Sequence, residues 1–276
     1  MQESGFVSAP VFLLLLRRRM MNMKEQVFCL LAIGCSFSSC MGESGEWETY
    51  GSQAGVVHFI PEKVIQLRSG NQITSDDFQN QDVTEGDCCL VDFQINHSEQ
   101  NRAEEGVYQV NMLNYQPVPD WPLLNYVDTA VAHRNESFLD FEVDATLYVD
   151  GHLFLFPEYR KHYRSQRDSF WMSYDPNLPV VTDEMTGRRC FQLYLRSTTW
   201  RIDYTDTVFT SSEITTQAFH IEEFVEKAKA SGLITGDSLN FQLVYPEYFL
   251  SEDSSSYYWR TSDIYTIDLD KDWNTW

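Results

Sequence analysis

From Glu46 onward, apolar residues fall in short runs broken by polar ones, and the runs are rich in aromatic and β-branched side chains. That pattern predicts strands separated by frequent turns. Val56–Ile60 and Lys63–Arg68 read as strands, with Ser69-Gly70-Asn71 as a turn. Thr84–Asp87 is a second turn and leads into Cys88–Ile95; a polar loop from His97 to Gly106 precedes Val107–Leu113. Four or five short strands in about 65 residues fit a small barrel. Farther on, Phe138–Val149 alternates up to Asp150-Gly151, and His152–Phe156 follows, which is a hairpin signal. Ser169–Tyr174, Arg189–Arg196, Arg201–Tyr204, Ser238–Tyr245 and Tyr257–Leu269 are further strand candidates.

One stretch has the other period. Ile221, Phe224, Val225 and Ala228 form a single apolar stripe over about 221–230. Glu222 and Glu223 open it and Lys227 and Lys229 close it, matching the helix dipole. Gly232 is the expected stop.

Between the two strand blocks lies Pro117-Val118-Pro119-Asp120-Trp121-Pro122. Each proline removes a backbone donor and favours extended structure, so 117–122 reads as a stiff linker. The expected class is all-β with one helix. The expected layout is an OB-like barrel over 47–116 and a C-terminal β-sandwich over 123–276.

The N-terminus reads as an address. Residues 11–16 are apolar but too few to span a bilayer, and they run into Arg17-Arg18-Arg19. Met20, Met21 and Met23 follow, so residues 1–20 look like an upstream extension. Lys24 and the apolar run Val27–Phe37 then form a signal-peptide core. Ser38-Ser39-Cys40 resembles a bacterial lipobox of the loose Bacteroides type, with Cys40 lipidated; Ala32-Ile33-Gly34-Cys35 is the alternative site. Residues 1–39 would be removed and 40–46 would be a tether. Several acyl chains on one cysteine anchor a protein stably.

Charge narrows the partners. The chain holds 41 acidic and 20 basic residues, a net charge of −21. Loss of 1–39 would remove four basic and two acidic residues and leave −23. So acidic a body lacks the basic face that nucleic acid requires. It would also stand off an anionic membrane surface.

Few residues suggest chemistry. Cys88 and Cys89 point to opposite faces of a strand. One of them could pair with Cys190, or all three could be small buried residues. The six histidines lack a His-x-x-x-His spacing, and no metal or cofactor is expected. Asp140, Glu142 and Asp144 share one strand face, the solvated side of an antiparallel strand or else a carboxylate set for glycoside hydrolysis or calcium. Asp268, Asp270 and Asp272 begin like a calcium loop, but Trp273 stands at the glycine position. No nucleophile or phosphate-loop motif occurs. Tyr257, Tyr258 and Trp259 form a polar-aromatic segment suited to stacking on a sugar or a protein. Arg160, Lys161, Arg164 and Arg167 make a basic cluster where an anion or acidic partner would dock.

The lipobox, the Glu85-Gly86-Asp87 turn, Val107–Leu113 and the proline-rich junction resemble NigD-like proteins. So do Leu193–Arg196 followed by Ser197, and the Phe219–Val225 helix start. The resemblance implies an OB-like domain followed by a β-sandwich on a Bacteroides-type lipoprotein, and it supplies no catalytic residues. The expected function is a non-enzymatic envelope lipoprotein, held in the outer membrane by its lipid and facing the periplasm or the surface. Its role would be binding or assembly with a glycan or an envelope protein. The alternatives are a glycan-binding lipoprotein of a polysaccharide-utilisation system and a carboxylate-dependent glycoside hydrolase.

Overall fold

The computed structural model describes residues 47–96, 106–127, 138–141, 147–201, 205, 208–234, 238–249 and 257–269. Within them the protein is built almost wholly of strands. Residues 46–276 form one compact unit.

The first module is a closed barrel. Its strands are β1 (Trp47–Phe59), β2 (Lys63–Leu67), β3 (Gln72–Thr74), β4 (Cys88–Asn96), β5 (Val107–Gln109) and β6 (Asn111–Val118). The order is β5-β3-β2-β1-β4-β6. β5 and β6 are one extended run interrupted at Val110. Its first part pairs parallel with β3 and its second part antiparallel with β4. One run therefore joins both ends of the sheet. The buried Val110 marks the handover, and its N–H donates to the Thr74 carbonyl at 2.9 Å. This five-strand arrangement is the OB topology.

Alternation explains the lining. On β4, Cys89, Val91, Phe93 and Ile95 face the barrel core, where they meet Val57, Ile65, Leu67 and Ile73. Gly55 is required on β1. A methyl group there would run into Ile65 Cγ2 and lie 3.1 Å from the Gln66 carbonyl oxygen. A short helix that the periodicity does not announce, α1 (Asp76–Gln79), plugs the barrel with the fully buried Phe78. Ser75 caps it, accepting from the Phe78 N–H at 3.1 Å. Four residues are too few for a visible helical stripe, which is why one helix was expected and two are found among the described residues.

The second module comprises β7 (Asp120–Leu124), β8 (Phe138–Phe141), β9 (Leu147–Val149), β10 (His152–Leu155), β11 (Pro157–Tyr163), β12 (Gln166–Tyr174), β13 (Val181–Thr182), β14 (Arg189–Arg201), β15 (Val208–Ile214), β16 (Gln217–His220), α2 (Glu222–Ala230), β17 (Ser238–Phe249), β18 (Tyr257–Thr261) and β19 (Tyr265–Asp268). A ten-stranded mixed sheet has the order β18-β17-β14-β12-β7-β16-β10-β9, with β13 on β14 and β19 on β17. β15, β11 and β8 form a three-stranded sheet. It reaches the main core through Tyr159, which meets Phe170 edge-on at 5.8 Å. α2 lays Phe224, Val225 and Ala228 on that core, with Phe224 against Tyr174 and Phe191. Gly232, at φ +66°, ends it in the left-handed conformation.

Residues 117–122 are not a linker. Pro117 and Val118 complete β6 opposite Cys89 and Cys88, and Asp120 to Pro122 pair with β16. Only Pro119 separates the two strands. β6 ends the order of the barrel sheet, and an edge strand is where a proline is tolerated. Trp121 fixes the crossing by donating its indole N–H to Gln217 Oε1 at 2.7 Å.

A third apolar cluster lies between the modules. Ala54, Val56, Cys88 and Val118 come from the barrel and Val149, Phe154 and Ala218 from the second module. Val56 and Val57 are adjacent, yet they serve different cores. Cys88 and Cys89 divide in the same way, as the strand pleat requires. All three described cysteines are free and buried, so none pairs with Cys190.

Candidate functional site

The seam between the modules also gathers polar side chains. Its centre is the β9–β10 hairpin, turned by Asp150 at φ 44° and Gly151 at φ 81°. Two successive positive φ values make the tight turn whose twist matches paired strands. The turn aims Asp150 at the barrel and places His152 beside the apolar cluster.

His58 extends from β1 on the same side as Val56. Its Nδ1 lies 2.7 Å from Glu85 Oε1, on the barrel turn, and its Nε2 lies 2.8 Å from Asp150 Oδ2, on the hairpin. Glu85 also accepts from the Phe59 N–H at 2.7 Å. One imidazole thus bridges an acid of each module.

His152 is 7% exposed and sits deeper. A carbonyl can only accept, so its Nδ1 donates to the Asp150 backbone oxygen at 2.8 Å. That leaves Nε2 facing Asp120 Oδ2 at 3.6 Å. His220, opposite it on β16, stacks on the ring with centroids 4.7 Å apart. Burial alone would lower the His152 pKa. The Asp120 hydrogen bond and charge and the Asp150 carbonyl outweigh it, so the imidazole titrates above its ordinary value.

Cys88 completes the group from β4. The Cys88 Sγ, an Asp120 oxygen and a His152 ring nitrogen all lie within 4.8 Å of one another. Burial first, then the charge of Asp120, push the Cys88 thiol far above its usual range. A neutral buried thiol is a poor nucleophile, so this cysteine is not set up for covalent catalysis. Acidity extends outward. Burial, and then Glu222 and Asp150, push Tyr148 up to about 12. An open pocket beside the seam is lined by Pro122, Leu123, His220, Glu222, Glu223 and Glu226.

The residues singled out from sequence lie elsewhere. Cys35 and Cys40 fall outside the described residues. Tyr257, Tyr258 and Trp259 are on β18. The half-buried Trp259 meets Tyr194 edge-on at 6.1 Å. The buried Arg196 guanidinium sits 5.9 Å from the Trp259 ring and 5.7 Å from Trp171. This indole therefore packs against the sheet. Arg160 and Lys161 are on β11, Arg164 on the turn and Arg167 on β12, so the basic cluster spans the connection between the two sheets. Lys161 is engaged with Glu213 at 2.8 Å. Of the strand carboxylates, Asp140 is on β8 opposite Glu158, and Glu142 and Asp144 lie outside the described residues. The Cys88, Asp120 and His152 group comes from three strands distant in sequence. No short-motif spacing could have announced it.

The comparisons bear on the fold. A model of the lipoprotein OB domain matches residues 45–116. No curated protein matches the chain. Among solved structures, an uncharacterized protein from Parabacteroides merdae is 18% identical, with a TM-score of 0.67 over 80% of this chain and 99% of the other. That coverage exceeds either module, so the two-module fold is shared. A Bacteroides fragilis protein is 9% identical, covering 81% of this chain and 99% of its own, at a TM-score of 0.49. A NigD-like immunity protein from Bacteroides caccae is 11% identical, covering 83% and 99%, at 0.42. The barrel thus matches the lipoprotein OB domain, and the chain shares its two-module fold with the Parabacteroides merdae protein.

Proposed function

We propose that this chain is a non-enzymatic lipoprotein of the cell envelope, anchored through Cys40 in the outer membrane, where its two modules bind or help assemble an envelope partner. The observation that supports this reading most is the shared core of Ala54, Val56, Cys88, Val118, Val149, Phe154 and Ala218. It makes a stiff two-part body suited to presenting surfaces, and a cleft that could open and close around a substrate would not be packed with buried apolar side chains. The seam's thiol is held neutral, so it is not itself set up as a covalent nucleophile. Metabolic labelling with a palmitate analogue, followed by fractionation, tests the anchor. The wild type should carry the label in the membrane fraction, and Cys40→Ala should be unlabelled and soluble. A wild type that is soluble and unlabelled overturns the proposal.

A further inference from the structure

We propose that Cys88, Asp120 and His152 bind a divalent transition metal of the zinc type, which staples the barrel to the second module. The donor set is the first reason. A thiolate, an imidazole nitrogen and a carboxylate are the three side-chain ligands that zinc takes. With metal–ligand bonds of roughly 2.0–2.3 Å, tetrahedral donors stand about 3.3–3.7 Å apart. His152 Nε2 and Asp120 Oδ2 are already 3.6 Å apart. All three donor atoms lie within 4.8 Å, so the thiol closes the triangle by moving about 1 Å, within reach of a side-chain rotation.

The support around the ligands is the second reason. Metal-binding histidines usually donate their other ring N–H to a carbonyl or carboxylate, which fixes the tautomer and the ring plane. His152 does this through Nδ1 to the Asp150 carbonyl, while the His220 ring stacked on it blocks rotation. Cys88, 2% exposed, has only a distant contact to the Gly86 carbonyl at 4.0 Å, which a metal bond would replace. Asp120 lies at the solvent edge and gives the ion a route in and water as a fourth ligand.

Binding requires the thiolate, so the Cys88 proton leaves to solvent as the Cys88–metal bond forms. Cys88 comes from β4, whereas Asp120 and His152 come from β7 and β10. The ion therefore cross-links the two modules and stabilises the joined state by mass action.

Titration of the full chain, with thiols reduced, by cobalt(II) and then zinc(II) tests the site. The wild type should bind cobalt with a thiolate charge-transfer band that zinc abolishes, and zinc should raise the unfolding temperature. The band should vanish in Cys88→Ser and persist in Cys190→Ser. Asp120→Asn, an edge substitution that leaves the core intact, should weaken zinc binding roughly tenfold or more. A wild type without the band, or a band that survives Cys88→Ser on the other cysteines, overturns the proposal. If Cys88→Ser fails to fold, unchanged zinc affinity in Asp120→Asn overturns it instead.

Discussion

The barrel and the second module solve the same problem in opposite ways. In the barrel, β1, β2 and β3 pair in the order in which they occur, and one interrupted run closes the sheet. In the second module the ladders jump. β7 pairs parallel with both β12 and β16, and β14 pairs parallel with β17, so distant segments must meet before the sheet exists. Contacts of that kind require long loops to close first and form slowly. The seam is where the two solutions become one, because β6 ends in the barrel and β7 begins in the other sheet with one residue between them. The barrel can be understood from its own segment, whereas the second module is defined by pairings that no local segment contains.

The comparison can be broken at the seam. Phe154 is fully buried in the shared cluster, so Phe154→Ala should cost about 3–5 kcal/mol, as large aromatic truncations do in cores. Urea unfolding should show a single transition for the wild type at a higher midpoint than for the variant. Two separate transitions in the wild type would mean that the cluster does not couple the modules. A smaller effect isolates the barrel. Gly55→Ala pushes a methyl group into Ile65 and should cost about 1–3 kcal/mol. If the modules are coupled, its transition stays single at a lower midpoint; a loss confined to the barrel would separate them.

The finest probe is pH. The folded His152 pKa is raised, so the protonated ring favours the fold. That contribution is complete below the ordinary value of 6.5 and is lost as the pH rises through the raised folded value. In metal-free protein, unfolding midpoints should therefore decline over that window for the wild type and show a weaker decline in His152→Gln. Identical profiles would remove the histidine from the coupling.

What was legible follows the same division. Cys88–Ile95 alternates, and its strand is found over Cys88–Asn96; the Asp150-Gly151 hairpin and the stripe at Ile221, Phe224, Val225 and Ala228 are likewise present. Each is a local signal backed by burial on one face. β7 was hidden because Pro119 and Pro122 read as breakers, while its partners β12 and β16 begin more than forty positions away and supply the pairing. β15, with Thr210, Ser211, Ser212 and Glu213 in its middle, carries no apolar alternation to see. Arg189–Arg196 and Arg201–Tyr204 were read as two strands because Ser197, Thr198 and Thr199 look like a break. In the fold they continue β14, paired with β12 throughout. The site was hidden most completely. Cys88 and Cys89 were seen to face opposite ways, but nothing local tells which of them meets Asp120 and His152.

The interrupted run at Val110 has a consequence for a chain crowded among its own copies. A sheet edge with unpaired amides invites another copy to add a strand, and that is how many β proteins begin to aggregate. Because β5 takes the β3 edge and β6 takes the β4 edge, neither of those two edges offers such a template. Packed side by side, neighbouring molecules would have to meet there through side chains, in contacts that can be made and released without exchanging backbone.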